Sequence, residues 1–301
     1  MKFFTDIIQA ISSAVNQIKK QCPSKIDAAR PIHTPSAPDA LHDELRMRME
    51  EFIENDLFSL VMQPAMNFRT NTLCTGEILS RLNHPEHGII SPDAFLPIVD
   101  SLGLQPKFDR YIFRKSCAWI SRALAAGESF DCISINFSRT TLSDVNLSQD
   151  LIKIADRYGL PHSTLGIEIT EQIPETDVND LLDTLNQLKA AGFRIILDDF
   201  GSGVTSFKDL MRYPLDIVKI DRSLLLQAGT EQGAAAFRGL VATATDLGAE
   251  VVCEGIETEA HNRFARAAGC HYGQGYLYFK PTPQDQVFEL IRKSTIHEEN
   301  V

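Results

Sequence analysis

The chain lacks a paired-cysteine motif, a bilayer-length apolar run and an excess of basic charge. Its six cysteines, Cys22, Cys74, Cys117, Cys132, Cys253 and Cys270, are scattered with no CxxC among them. After Lys2 the apolar stretch is broken within a few residues by Asp6 and Gln9, unlike a secretory signal, so reduced thiols in a cytoplasm are expected. No segment approaches the roughly 20 apolar residues that span a bilayer. Acids outnumber bases 40 to 29, a net charge of −11. That balance argues against a nucleic-acid polymer held by bulk field, while a small anion stays compatible if metal ions reverse the local sign. A Gly-rich phosphate turn after the first strand is also missing, which weighs against the alternative fold, an open doubly wound sheet.

With 44% hydrophobic and 23% charged residues, the composition is that of an ordinary globular protein. The 301 residues exceed a small domain, and large α/β barrels run to about 250 residues; one main domain plus an extension fits. Residues 1–40 form that extension. Phe3, Ile7, Ile8, Ile11, Val15 and Ile18 recur at helical spacing, and a Pro/Ala/Ser stretch typical of a linker follows. Two readings stay open for this helix: packing on its own domain or a second subunit, and attachment to a membrane surface. A second helix is expected over 41–56, leading into a main domain at 41–297.

From residue 57 the chain alternates. Strand-like runs FSLVMQP, CTGEILSRL, CISINFS, LGIEIT, FRIILDDF, DIVKID, EVVCEGI and GQGYLYF are mostly separated by helical stretches, several closed by Gly127, Gly192, Gly248 and Gly269. Eight strand candidates with interleaved helices predict an α/β fold, a TIM-like (β/α)8 barrel, whose chemistry sits at the carboxyl ends of its strands. Acidic residues fall at those ends: Glu77, Glu168, Asp198 with Asp199, Asp221, and Glu254 with Glu257. A carboxylate ending a buried strand is costly unless something pairs with it, so several on one rim imply bound cations.

Taken in order, QP, E-x-L-x-R, HPEHG, N-x-S, E-I-T-E, DDFG-x-G, K-I-D, EG-x-E and QGY resemble the EAL domains that hydrolyse cyclic di-GMP, over about residues 44 to 293. No GGDEF-type cyclase signature occurs in the chain. The resemblance implies opening of cyclic di-GMP to linear pGpG by in-line attack of a water held between two Mg²⁺ or Mn²⁺ ions, with metal ligands at Glu77, Asn136, Glu168, Asp198 and Asp199. Such hard ions favour carboxylate and amide oxygens. By the same likeness Glu254 is the general base, Lys219 holds the attacking water and stabilises charge on phosphate, Gln274 orients a water, and Glu257 supports this shell. Arg81, an even offset from Glu77 on one strand, would grip the substrate phosphate. Gln63, Asp221 and Pro281 are candidates for guanine and ribose contacts, and Glu171 anchors the DDFGSGVTSF loop. Family members frequently dimerise, so a homodimer is the expectation.

The chain departs from the family pattern at Ile78, Leu82, Ser202, Val204, His271 and Lys280, none of them an expected metal ligand. These bear on rate and affinity more than on reaction type. The alternative reading is a cyclic di-GMP receptor or interaction module with weak turnover, but the complete acid set favours hydrolysis. His84 and His87 read as a solvated turn rather than a zinc site. The N-F-S pattern at Asn136 is irrelevant to a cytoplasmic chain, and Cys253, a strand neighbour of Glu254, is expected to be a packed thiol.

Overall fold

The computed structural model describes residues 37–169, 178–202, 207–284 and 286–288. Most of the expected N-terminal helix and linker, the loop-anchoring Glu171, and Gly203 with Val204 lie outside them. The described residues fall into two compact units, one of residues up to Ser59 with Ser80–Phe108, the other of Leu60–Leu79 with residues from Asp109 onward.

The first unit contains α1 (Ala37–Glu54), the entry of β1 (Phe58–Asn67), the end of β2 (Leu73–His84), β3 (Gly88–Ile90) and α2 (Pro92–Ser101). Helix α1 begins a few residues before the expected position 41. It buries Leu45, Met49, Phe52 and Ile53, the one-sided stripe that a 3.6-residue period produces. Phe58, Phe95 and Phe108 meet edge to face with centroids 5.0 to 5.8 Å apart, the favoured geometry for aromatic rings. In the HPEHG turn, His84 Nδ1 accepts from the backbone N–H groups of Glu86 and His87, each at 3.2 Å. The ring proton therefore sits on Nε2, which lies 3.3 Å from Glu44 Oε1. These contacts latch the turn to α1, and His84 is buried where the sequence predicts a solvated turn.

The second unit is a closed barrel. Its strands are β1, β2, β4 (Cys132–Phe137), β5 (Leu165–Ile169), β6 (Arg194–Phe200), β7 (Ile217–Ile220), β8 (Glu250–Cys253) and β9 (Tyr272–Gln274). They follow the order β1-β9-β8-β7-β6-β5-β4-β2, and β2 pairs back with β1. A short β10 (Thr282–Pro283) adds to β1. The helices are α3 (Gln105–Ala125), α4 (Arg139–Leu142), α5 (Leu147–Arg157), α6 (Val178–Ala190), α7 (Phe207–Arg212), α8 (Arg222–Gln227), α9 (Glu231–Asp246) and α10 (Glu259–Ala267). Gly192 and Gly248 follow α6 and α9 with φ of 100° and 88°, the left-handed cap that releases a helix into the next strand. Among the described residues, no helix is long and apolar enough to cross a membrane.

The barrel differs from an all-parallel eightfold repeat at its seam. Strand β1 runs antiparallel to β9 and reaches β2 through the short Phe68–Thr72 turn, with no intervening helix. Strand β9 also stops at Gln274 instead of extending through GQGYLYF. At Gly275 a Cβ would stand 2.2 Å from the Ile256 carbonyl oxygen. The backbone turns there, and the N–H groups of Tyr278 and Phe279 both reach the Gly275 carbonyl at 3.1 Å.

Cys132, Ile196, Ile217, Val252 and Tyr272 form one buried cluster inside the ring. Side chains of a strand return to the same face every second residue, so the residues two steps on line the next layer. Those are Asp198 after Ile196, Lys219 after Ile217, Glu254 after Val252 and Gln274 after Tyr272. Register carries the pattern round the ring, with Asn136 beside Glu168 on β4 and β5, and Glu77 beside Ser134 on β2 and β4. An apolar floor therefore supports a polar layer at the carboxyl ends of the parallel strands.

Candidate active site

Lys219 occupies the middle of the polar layer and is 3% exposed. Its Nζ lies 2.6 Å from Glu168 Oε1, 2.8 Å from Glu254 Oε1, 3.0 Å from Glu77 Oε2 and 3.0 Å from Asp198 Oδ1. Burial works against the charged ammonium, but Asp198, Glu168, Glu254 and Glu77 outweigh it and hold Lys219 well above the usual lysine range. The acids feel the converse. Burial, with repulsion from Glu77 and Asp198, lifts Glu168 well above the carboxylate range against the pull of Lys219. Burial, reinforced by Asp198 and Glu77, pushes Glu254 up to about 8.

Amide groups brace the acids. Asn136 Nδ2 donates to Glu77 Oε1 at 2.8 Å, and Gln274 Nε2 donates to Glu77 Oε2 at 3.3 Å. Both Glu77 oxygens are thus fixed, by side chains from strands that lie on either side of β2. Asp199 joins the cluster through a backbone irregularity. Strand alternation would aim it away from Asp198, but the β6–β7 register shifts between Leu197 and Phe200, and Asp199 has φ of 53°. A bulge re-aims a side chain in this way, and carboxylate oxygens of Asp198, Asp199 and Glu254 lie within 4.8 Å of one another.

Four carboxylates surround one ammonium, so the fully ionised layer carries an uncompensated excess of negative charge. Glu168 Oε2 and Asp198 Oδ1 are also buried without a hydrogen-bond partner; the 3.0 Å approach of Lys219 to Asp198 Oδ1 is an ion pair out of hydrogen-bonding alignment. Buried, unsatisfied anionic oxygens are expensive. A donor set made only of carboxylate and amide oxygens fits hard divalent cations, which supply the missing charge.

The remaining expected residues are placed as follows. Gln63 lines the cavity beside the cluster and donates through Nε2 to the Phe279 carbonyl at 3.4 Å. Asp221 caps α8, its Oδ1 accepting from the Ser223 N–H at 2.9 Å. Pro281 is half-buried just before β10. Glu257 stands outside the Lys219 cluster and pairs with Arg222 Nη2 at 2.8 Å. Arg81 belongs to the first unit, where Nη1 donates to the Ser80 carbonyl at 2.8 Å. Cys253 is fully buried. Its thiol meets Cys270 and is held well above its usual range by that contact and by burial.

A cavity of about 310 Å³ opens over the acids, lined by Glu77, Asp198, Glu254 and Gln274 together with Arg222 and Tyr276. The last two escaped sequence reasoning. The one available signal was the position of Tyr276 in QGY, directly after Gln274 and Gly275.

Comparison with known proteins agrees with this arrangement. The chain is 32% identical over 252 residues to the bifunctional diguanylate cyclase/cyclic di-GMP phosphodiesterase MucR of Pseudomonas aeruginosa, covering 83% of this chain and 36% of MucR. The solved PaMucR phosphodiesterase in complex with c-di-GMP is 31% identical with a TM-score of 0.75, covering 81% of this chain and 99% of that one. The EAL enzyme Bd1971, with cAMP and cyclic-di-GMP bound, is 27% identical with a TM-score of 0.77, covering 84% and 69%. The chain spans about two fifths of the length of the curated relatives it matches. Residues 45–281 match the EAL domain, and the chain belongs to the EAL domain family.

Proposed function

We propose that this chain hydrolyses cyclic di-GMP to linear pGpG with two divalent ions, Mg²⁺ or Mn²⁺, held by Glu77, Asn136, Glu168, Asp198 and Asp199. The observation that carries the reading is the buried carboxylate ring around Lys219, in which Glu168 Oε2 and Asp198 Oδ1 accept no hydrogen bond. The names of its relatives support the substrate class. A pair of such ions neutralises a phosphodiester and activates the water that attacks it. Around them the protein supplies position and proton transfer. Glu254, 2.8 Å from Lys219 and lining the cavity over the acids, takes the proton of the attacking water. Lys219 keeps its proton and stands where negative charge builds on the phosphate. Gln274 and Asn136 hold Glu77 in one orientation, so the ring needs little reorganisation during reaction.

Incubation of the purified chain with cyclic di-GMP and Mn²⁺, followed by chromatography, tests this reading. Metal-dependent pGpG, lost with chelator and in Glu254→Gln, is the expected result; an intact dinucleotide under these conditions overturns it.

A further inference from the structure

The barrel has a second mouth, at the amino ends of its parallel strands and away from the acids. A cavity of about 700 Å³ opens there, lined by separate segments of the second unit. Arg194 and Glu250 open β6 and β8, two steps before Ile196 and Val252 of the apolar floor, so strand alternation aims both into the barrel from below. The turn after β1 adds Arg69, the short turn before β5 adds Ser163, and the residue before β9 is His271. The ends of β1 and β9 meet because Asn67 pairs with Tyr272. The floor of Cys132, Ile196, Ile217, Val252 and Tyr272 stands between this cavity and the acid layer.

The charges of the lining do not cancel. Three arginines, Arg69, Arg194 and Arg266, face two acids, Asp131 and Glu250, an inverted balance in a chain of net charge −11. The acids are already engaged. Glu250 accepts from Arg194 Nη1 at 2.6 Å and from the Tyr272 hydroxyl at 3.3 Å, and Asp131 accepts from the Cys74 thiol at 2.7 Å. Arg266 is a wall: its guanidinium lies 4.3 Å from the centre of the Phe68 ring and donates to the Phe68 carbonyl and Asn71 Oδ1, each at 2.9 Å. Other donors are left over. Among the described residues, the Arg69 guanidinium and the Ser163 hydroxyl make no hydrogen bond or ion pair, and Arg194 spends only Nη1 on Glu250. His271, one of the departures from the family pattern, accepts from the Val251 N–H at 3.0 Å through Nδ1, which puts its ring proton on Nε2 as a further donor.

We infer that this basal cavity binds a small phosphate monoester, up to the size of a mononucleotide. One guanidinium fork fills a carboxylate, whereas donors arriving from the β1–β2 turn, β6 and the approaches to β5 and β9 suit an anion with three terminal oxygens. Guanidinium groups are weakly hydrated and match phosphate oxygens in pairs. The volume falls within the range of about 300–1,000 Å³ usual for small-molecule sites, leaving room for a sugar or base on the phosphate.

Calorimetric titration of the full chain in chelator tests the assignment, with inorganic phosphate, ribose 5-phosphate and AMP as probes and citrate as the carboxylate control. Without divalent ions the acid layer repels anions, so binding reports the basal cavity. The phosphate probes should bind more tightly than citrate, and Arg69→Glu, at an exposed turn position, should weaken them by about tenfold or more. Ser163→Asp, exposed on a separate segment, should weaken them likewise, while Glu254→Gln at the other end of the barrel should leave their Kd unchanged. No binding of any phosphate probe at millimolar concentration, tighter binding of citrate, or a Kd unchanged in Arg69→Glu overturns the site. So does binding that is lost in Glu254→Gln, which would place the anion among the acids instead.

Discussion

Lys219 Nζ stands 2.6 Å from Glu168 Oε1, and the two side chains are 4% and 0% exposed. Breaking a buried pair from one side leaves an uncompensated charge at a cost of about 3–5 kcal/mol. Here three more carboxylates crowd the same ammonium. Lys219→Met should therefore lower unfolding stability by about 3 kcal/mol in chelator, and Mn²⁺ should recover much of the loss by supplying charge to the same oxygens. Urea denaturation of both proteins with and without Mn²⁺ checks this; a variant as stable as wild type in chelator would remove Lys219 as the cluster's counter-ion.

The layer should also set the pH dependence of the cation-free protein. Glu254 is raised to about 8, so its contribution to stability is full below the ordinary carboxylate value and is lost as pH climbs through about 8. The acids are close enough to titrate together, and the slope belongs to the ring as a whole. Thermal melting in chelator should fall between about pH 6 and about pH 9, and Mn²⁺ should reverse the trend because divalent ions bind the ionised carboxylates and release protons. The same descent in Glu254→Gln would show that the slope arises elsewhere.

Much of the polar layer was legible because its members, apart from Glu77 inside β2, end apolar runs, and the alternation of a strand turns that position into a direction. Asp198, Lys219 and Glu254 stand two steps beyond Ile196, Ile217 and Val252, a pattern visible in one dimension. Asp199 was visible as an acid at a strand's end, but its role as a ligand came from resemblance alone, since the same alternation points it outward and only the positive φ brings it back. The reversal of β1 was not legible, because apolar runs count strands without giving their sense. Arg222 and Tyr276 were missed for a further reason. Their place at the rim depends on residues 222, 255, 256 and 275 approaching across long sequence separations, and no local pattern encodes that approach.

Gly166 on β5 supports the acids from below. A Cβ there would stand 2.6 Å from Ile196 Cδ1 and 2.9 Å from Cys132 Sγ. Overpacking of this kind costs about 1–3 kcal/mol. Gly166→Ala should be destabilised by that amount, and the loss should shrink when combined with Ile196→Val, which removes the offending methyl. A double-mutant cycle read by urea denaturation checks the coupling; strictly additive losses would place the strain elsewhere.

Asp109 on α3 offers a test away from the acids. It is 3% exposed and accepts from the Thr141 hydroxyl at 2.6 Å and the Ser138 N–H at 2.9 Å. Burial nevertheless outweighs these bonds and raises its carboxyl from 3.8 to about 6. A carboxyl raised in the folded state stabilises fully below its unfolded value, and the contribution disappears as pH rises through about 6. From about pH 4.5 to about pH 7.5 the loss amounts to about 2 kcal/mol. Asp109→Asn keeps an acceptor for Thr141 and Ser138 but cannot ionise. Its stability relative to wild type should rise by about 2 kcal/mol over that interval, measured by urea denaturation at both ends. A difference independent of pH would mean that Asp109 stays ionised in the fold, with its hydrogen bonds prevailing over burial.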